Sequence, residues 1–246
     1  MILALVSLLG LVVGSFLNVA IHRLPRGESV VYPGSHCPAC GAPLGPEELI
    51  PLVSFLVQGG RCRHCGAPIS RRYPVVELVS AAAFAACYLR FGLSAALPFN
   101  LVFLALLITV SATDLEHRII PNAAVATAFV LGGALLFATR PLDPAAAGWG
   151  VLALGGFTLA VHLLRPDGLG LGDVKLAAAM GLFLGWHLGL VALFLSMFLG
   201  ALVGVGLVAA RRKTFRDYLA FGPFLAAGSV LTLFFGPQLL ALVAGG

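Results

Sequence analysis

The sequence predicts an all-α polytopic membrane protein with about eight transmembrane helices. Three observations carry that prediction. The 246 residues are 60% hydrophobic and only 10% charged, with mean hydropathy +1.03, where a soluble domain carries about a quarter charged residues. Apolar stretches able to cross roughly 30 Å of hydrocarbon recur from end to end. The basic residues cluster in alternate connections between those stretches.

The first stretch, "MILALVSLLGLVVGSFLNVAIHR", has its charges after the apolar run. A cleaved signal peptide has the opposite order, so residues 2–21 read as a retained span. Further spans are expected near 74–90, 95–113, 121–139, 145–164, 174–188, 190–210 and 223–243. The split of 174–210 is placed at "GWH", residues 185–187. The first, third, fifth and seventh connections then hold Arg23, Arg26, Arg61, Arg63, Arg71, Arg72, Arg118, Arg165, Lys175, Arg211, Arg212, Lys213 and Arg216, 13 of the 15 basic residues. The others hold only Arg90 and Arg140. This excess marks the odd connections as cytoplasmic and puts both termini outside. If 174–210 were a single span, the run "RRKTFR" would move outward and spoil the pattern. The pI of 9.2 therefore reflects orientation, and no nucleic-acid partner is expected. Gly181, Gly185, Gly189 and Gly200, Gly204 recur every fourth residue, which suits close helix packing or simply a glycine-rich composition.

The expected organisation is a first transmembrane helix (1–21), a polar cytoplasmic segment (22–73) and a transmembrane remainder (74–246). The polar segment carries "CPAC" at 37–40 and "CRHC" at 62–65, each followed by a turn-prone glycine, Gly41 and Gly66. Two such knuckles can close a tetrahedral thiolate site of Cys37, Cys40, Cys62 and Cys65 around zinc, a zinc-ribbon-like loop. Two disulfides are the rival arrangement, and a reducing cytoplasm disfavours them. A four-thiolate zinc has no open position, so its expected role is structural. His36 and His64 flank the knuckles as bystanders or substitute ligands, and Cys87 reads as a small buried apolar group.

The acids near membrane depth are Glu77, Asp114, Glu116, Asp167 and Asp173. Asp114 ends the third span in "SATDLEHRIIPN", and Asp173 opens the sixth in "GLGLGDVKL". Both fall on the expected cytoplasmic side. Two carboxylates that meet cannot both ionise cheaply, so such a pair shares a proton, the arrangement of an aspartic protease. Gly170 and Gly172, lacking Cβ, would let the backbone leave helical geometry and approach an extended substrate. Duller readings exist for each acid. Asp173 can cap a helix, and Asp114 can pair with Arg118 one turn later. A proton-coupled transporter also uses intramembrane acids, and a membrane adaptor could use the cysteine loop to dock a partner. Glu77 is a candidate for holding a substrate amine, or a structural partner of Arg71 or Arg72. Lys175 is a candidate substrate anchor, or snorkels to the interface. Asn18 reads as a hydrogen bond to a neighbouring helix, and His117 as a solvated neighbour of Asp114.

Taken together, "GSFLNVAIHRLP" (14–25), "CPAC", "CRHCGAPISRRYPVVEL" (62–78), "TDLEHRIIPN" (113–122), "GLGLGDVKLAAAMGLFLGW" (168–186) and "FGPFLA" (221–226) resemble the type IV prepilin peptidases, GxGD-class aspartic proteases. The likeness spans nearly the whole chain and departs at Ala220, where the family usually has proline. The resemblance implies Asp114 and Asp173 as the catalytic dyad. It implies prepilin and pseudopilin substrates of type IV pili or type II secretion, cut after a glycine that follows a short basic leader. It places the protein in a bacterial inner membrane. Relatives with the four-cysteine loop often go on to N-methylate the new terminus with S-adenosylmethionine. The same is expected here, with Gly59 and Gly60 suspected near that cofactor.

Overall fold

The computed structural model describes residues 1–166, 168–212 and 219–244. Asp167, Lys213 and Arg216, which entered the charge and acid arguments above, lie outside the described residues. Eight α-helices are described: α1 (Ile2–Arg23), α2 (Val53–Val57), α3 (Arg72–Phe91), α4 (Ala96–His117), α5 (Asn122–Thr139), α6 (Pro144–Leu164), α7 (Leu171–Ala209) and α8 (Gly222–Ala244). All but α2 are long and apolar enough to cross a membrane. The described residues hold two isolated β-bridges, His36 with Pro43 and Arg61 with Pro68. The chain forms two compact units, Met1–Leu93 and Ser94–Gly246, so the structural division falls after the second span and not before it.

In the first unit α1 and α3 pack face to face. A Cβ on Gly14 would lie 2.8 Å from the Glu77 Cα, so this face of α1 tolerates only hydrogen at that point. Asn18, 1% exposed, donates from Nδ2 to the Gly14 carbonyl (3.2 Å) and to the Tyr73 carbonyl of α3 (3.0 Å), the interhelical bond expected of it. Arg23 is buried at the end of α1 and donates to the carbonyls of Ser29 and Gly34, which folds the polar loop back on the helix. Cys87 is buried without exposure in α3.

In the second unit α4 lies at the centre, with Phe103 and Val110 fully buried. Phe99 and Phe103 each put their ring centroids 4.7 Å from that of Phe183 in α7. The 39-residue α7 would span about 58 Å if straight, roughly twice the hydrocarbon thickness. It is not straight. Gly185 has φ +71° and ψ 179°, a conformation open essentially to glycine alone. Before Gly185, α7 runs antiparallel to α6: Gly150 faces Gly181, and a Cβ on Gly155 would sit 3.0 Å from the Ala178 Cβ. After Gly185 it runs parallel to α6: Gly150 faces Gly185 itself, and a Cβ on Gly189 would sit 3.0 Å from Leu154. The chain therefore reverses at Gly185, and residues 171–184 and 186–209 are two arms of a hairpin. These two arms, with the six other long helices, give the eight expected passes. α8 runs antiparallel to the second arm, with Gly200 against Phe221 and Gly236 against Leu188. Gly204, grouped with the packing glycines by its spacing, faces open space instead.

Candidate active site and metal centre

Asp114 and Asp173 are separated by 59 positions in sequence and belong to the same unit. Asp114 lies in the last turn of α4, and Asp173 in the first turn of α7. They are 3% and 5% exposed and lie within electrostatic range of one another. Each is held by one oxygen. The Gly170 N–H donates to Asp173 Oδ2 at 3.1 Å, and the Gly222 N–H donates to Asp114 Oδ2 at 2.8 Å. Both donors belong to helix N-termini, whose unsatisfied N–H groups favour a carboxylate. Asp173 thus does cap α7, as the duller reading had it, while also lying in electrostatic range of Asp114. Arg118, one turn beyond Asp114 with φ +56°, closes α4 and lies in electrostatic range of that acid.

Gly222 is the residue the sequence reasoning missed. In the sequence, "FGPFLA" carries only a resemblance and assigns Gly222 no role. A Cβ at Gly222 would sit 2.8 Å from Asp114 Oδ2 and 3.1 Å from its Cβ. The available signal was a glycine at the head of an apolar span. Gly170 is extended (φ −74°, ψ 151°) and starts α7, as expected of a backbone leaving the helix. Gly172 instead lies inside α7 and stays helical, and a Cβ on it would sit 2.9 Å from the Ile120 Cβ. Lys175 Nζ donates to Asn122 Oδ1 at 2.8 Å, tying α7 to the start of α5. Beside Asp114, a cavity of about 320 Å³ is lined by Leu115, Arg118, Val203, Leu219, Ala220, Pro223 and Phe224.

In the first unit the Sγ atoms of Cys37, Cys40, Cys62 and Cys65 all lie within 4.8 Å of one another, with Cys37 and Cys65 at 3.9 Å. Tetrahedral thiolates at about 2.3 Å from zinc would be separated by about 3.8 Å. The two knuckles are built alike. Cys37 N–H donates to Ala42 and Gly41 N–H back to Cys37, and Cys62, Ala67 and Gly66 repeat the pattern. Gly41 and Gly66 take the same left-handed turn, φ +72° and +73°. Backbone N–H groups of Cys40 and Ala39 pull the Cys37 thiol down to about 7, while Cys65, despite the Ala67 N–H, is pushed up to about 11 by burial and the neighbouring thiols, so the four thiols share their protons as one group. His36 Nδ1 lies 3.0 Å from the Gly34 carbonyl, and His64 Nε2 lies 3.5 Å from Glu48 Oε2. The Gly45 N–H holds the Glu48 carboxyl below its usual range. The four cysteines form the metal-ligand group found among the described residues, and the two histidines stand outside it.

Glu77 takes a role that neither reading foresaw. Its Oε2 accepts from the Leu52 N–H at 2.8 Å, and Leu52 sits at φ +62°, unusual for a leucine. Glu77 thereby pins the start of α2. Next to α2, a cavity of about 410 Å³ is lined by Phe55, Leu56, Gly59, Gly60, Arg61, Pro68, Ile69 and Arg71. Gly59 and Gly60 have φ +61° and +67°, and a Cβ on Gly60 would lie 3.2 Å from the Phe55 ring.

Comparison with known proteins finds relatives over nearly the whole chain. Residues 8–91 match the bacterial peptidase A24 N-terminal domain, and residues 101–205 match the type IV leader peptidase family. A Bacillus subtilis protein is 40% identical over 97% of this chain and 96% of its own length. A Burkholderia pseudomallei protein is 36% identical over 99% and 88%. A Pseudomonas aeruginosa protein is 35% identical over 94% and 90%. Each of the three is named prepilin leader peptidase/N-methyltransferase. No solved structure matches the chain significantly.

Proposed function

The chain belongs to the type IV leader peptidase family, and from that premise we propose that Asp114 and Asp173 are the two acids that cut the leader. Membership makes the protein a membrane-embedded enzyme of prepilin processing and methylation. The observation that carries the dyad is the pair of buried carboxyls in range of each other, each anchored through Oδ2 by a backbone N–H. Anchoring through Oδ2 leaves the Oδ1 atoms for the reaction.

The proposed step is hydrolysis. The charged acid takes a proton from water as the oxygen attacks the scissile carbonyl carbon. The protonated acid gives its proton to the carbonyl oxygen. The tetrahedral species then collapses, the C–N bond breaks, and the leaving amine takes up a proton. Which acid begins charged is a property of the coupled pair rather than of either residue. The substrates are prepilins and pseudopilins, cut after the glycine that follows a basic leader. The leader, both acids and the cysteine loop lie on the cytoplasmic side of a bacterial inner membrane, and both termini lie outside. Gly170, Gly172 and Lys175 border the substrate's path. Nothing favours a proton-coupled transporter over this reading.

Residues 22–73, with Glu77 at the head of α3, serve methyl transfer, and the rest of 74–246 serves proteolysis. Cys37, Cys40, Cys62 and Cys65 would hold a structural zinc, consistent with their spacing. S-adenosylmethionine, when bound, supplies an electrophilic methyl group. The cavity beside Gly59 and Gly60 fits it: Phe55 offers a flat apolar face, and Arg61 and Arg71 offer partners for a carboxylate. Glu77, pinning Leu52, shapes that cavity and is the acid available to hold the new amine.

The test is purified protein with one prepilin, with and without S-adenosylmethionine, read by product mass. Asp114→Asn and Asp173→Asn should each stop leader removal while keeping bound zinc. An Asp173→Asn protein that still releases leader would overturn the assignment.

A further inference from the structure

We propose that His162 is a positioning residue for Asp173, acting through the peptide bond between Leu169 and Gly170. The role rests on the reading of Asp173 as a catalytic acid. That one peptide carries a hydrogen bond at each end. Its N–H, from Gly170, donates to Asp173 Oδ2 at 3.1 Å, and its carbonyl, from Leu169, accepts from His162 Nδ1 at 2.6 Å. A carbonyl can only accept, so Nδ1 carries the proton. A peptide is planar, so fixing its oxygen fixes the direction of its N–H. A hydrogen bond to the oxygen also polarises the unit and strengthens its N–H as a donor.

The fold brings the imidazole there. α6 and the first arm of α7 pack antiparallel, with Gly150 against Gly181 and Gly155 against Ala178. The same register, carried toward the end of α6, sets His162 beside Leu169. The Gly170 carbonyl accepts the first bonds of α7, from the Asp173 and Val174 N–H groups, so the Leu169 carbonyl stands outside the helix. The other acid is supported differently. Its peptide is Phe221–Gly222, and the Phe221 carbonyl accepts from the N–H groups of Phe224 and Leu225 at the head of α8. Helix backbone does there what a side chain does for Asp173. Gly170, lacking Cβ, resists rotation of its peptide weakly, so the imidazole is what holds the N–H on the acid.

The experiment uses purified full-length protein in proteoliposomes and one prepilin, with kcat and KM measured separately for His162→Leu, His162→Phe and His162→Asn. Leucine and phenylalanine remove the donor, and phenylalanine keeps a flat ring. Each should lower kcat for leader removal by about ten- to a hundredfold, the cost of displacing a catalytic group by up to about 1 Å, with KM little changed. Asparagine carries an amide N–H where the imidazole has Nδ1, and it should recover most of the kcat although it fills less space. A packing role gives the reverse order, with phenylalanine active and asparagine impaired. That order, or wild-type kcat in the leucine and phenylalanine variants, would overturn the proposal. If His162→Leu does not fold, His162→Phe decides, and failure of both to fold would make the imidazole a support of the helix pair and overturn the proposal too. An Asp173→Asn arm separates the two claims. Residual leader removal there sinks the catalytic reading and the role of His162 with it, whereas an inactive Asp173→Asn beside fully active His162 variants sinks the positioning role alone.

Discussion

At Asp114 a carboxylate is 3% exposed at the end of an apolar helix, a costly position unless something compensates it. The compensation comes from a backbone N–H at the head of α8, and it depends on Gly222 having no side chain. Alanine would normally improve a helix relative to glycine. At the first position of α8 that gain is small, and the methyl group must push Asp114 off the N–H that compensates it, so Gly222→Ala should melt somewhat lower than wild type. A displacement near 1 Å in a catalytic group can cost about a hundredfold. The expected result is a kcat for leader removal lower by about that factor, with KM and zinc content little changed, measured on a single prepilin. A loss of activity no greater than the loss of folded protein would point to a merely structural glycine. Both acids were legible in the sequence because an acid in an apolar run is conspicuous. Gly222 was not, because a glycine in a chain with 30 of them carries no local signal; its partner lies 108 positions away.

Among the elements, the cysteine loop was the most legible. Two CxxC pairs with trailing glycines specify two like turns, and the structure repeats the backbone hydrogen bonds across one in the other. What could not be read was how the loop is tied down. Arg23 bonding to Ser29 and Gly34, and Glu77 bonding to Leu52, join residues whose spacing follows no helical or strand period. A loop with so few buried apolar groups would gain folding energy from a metal held by its four cysteines. Purified protein should contain about one zinc per chain. Stripping it with a strong chelator, or making Cys37→Ser with Cys62→Ser, should abolish methyl transfer while leader removal persists in the same preparation. Simultaneous loss of both activities would show that the loop supports the acids as well. Glu77→Gln keeps the acceptor for Leu52 and should preserve the fold. Glu77→Ala leaves the Leu52 N–H without its partner, a loss of about 1–3 kcal/mol if it stays buried, visible as a lower melting temperature.

At the scale of the molecule the question is how many times the chain crosses. Hydropathy alone cannot decide it, because residues 171–209 form one uninterrupted apolar helix by composition. The deciding signals were indirect: a length about twice the hydrocarbon thickness, and a basic run, Arg211 and Arg212 among its members, that had to stay with the other basic connections. The structure supplies the direct reason in Gly185, whose backbone turns the second arm back along α6. Eight crossings put the two ends of the chain on one side; seven would put them on opposite sides. With the basic connections inside, an alkaline phosphatase fused after Gly246 should be exported and active. The same enzyme inserted after Arg212 should stay in the cytoplasm and be inactive. The reverse pair of results would mean that α7 crosses once, and it would move the connection between α7 and α8 away from the compartment where the basic leader is cut. Gly222 and Asp114 could then meet only across the membrane's thickness, which a 2.8 Å hydrogen bond between them does not permit.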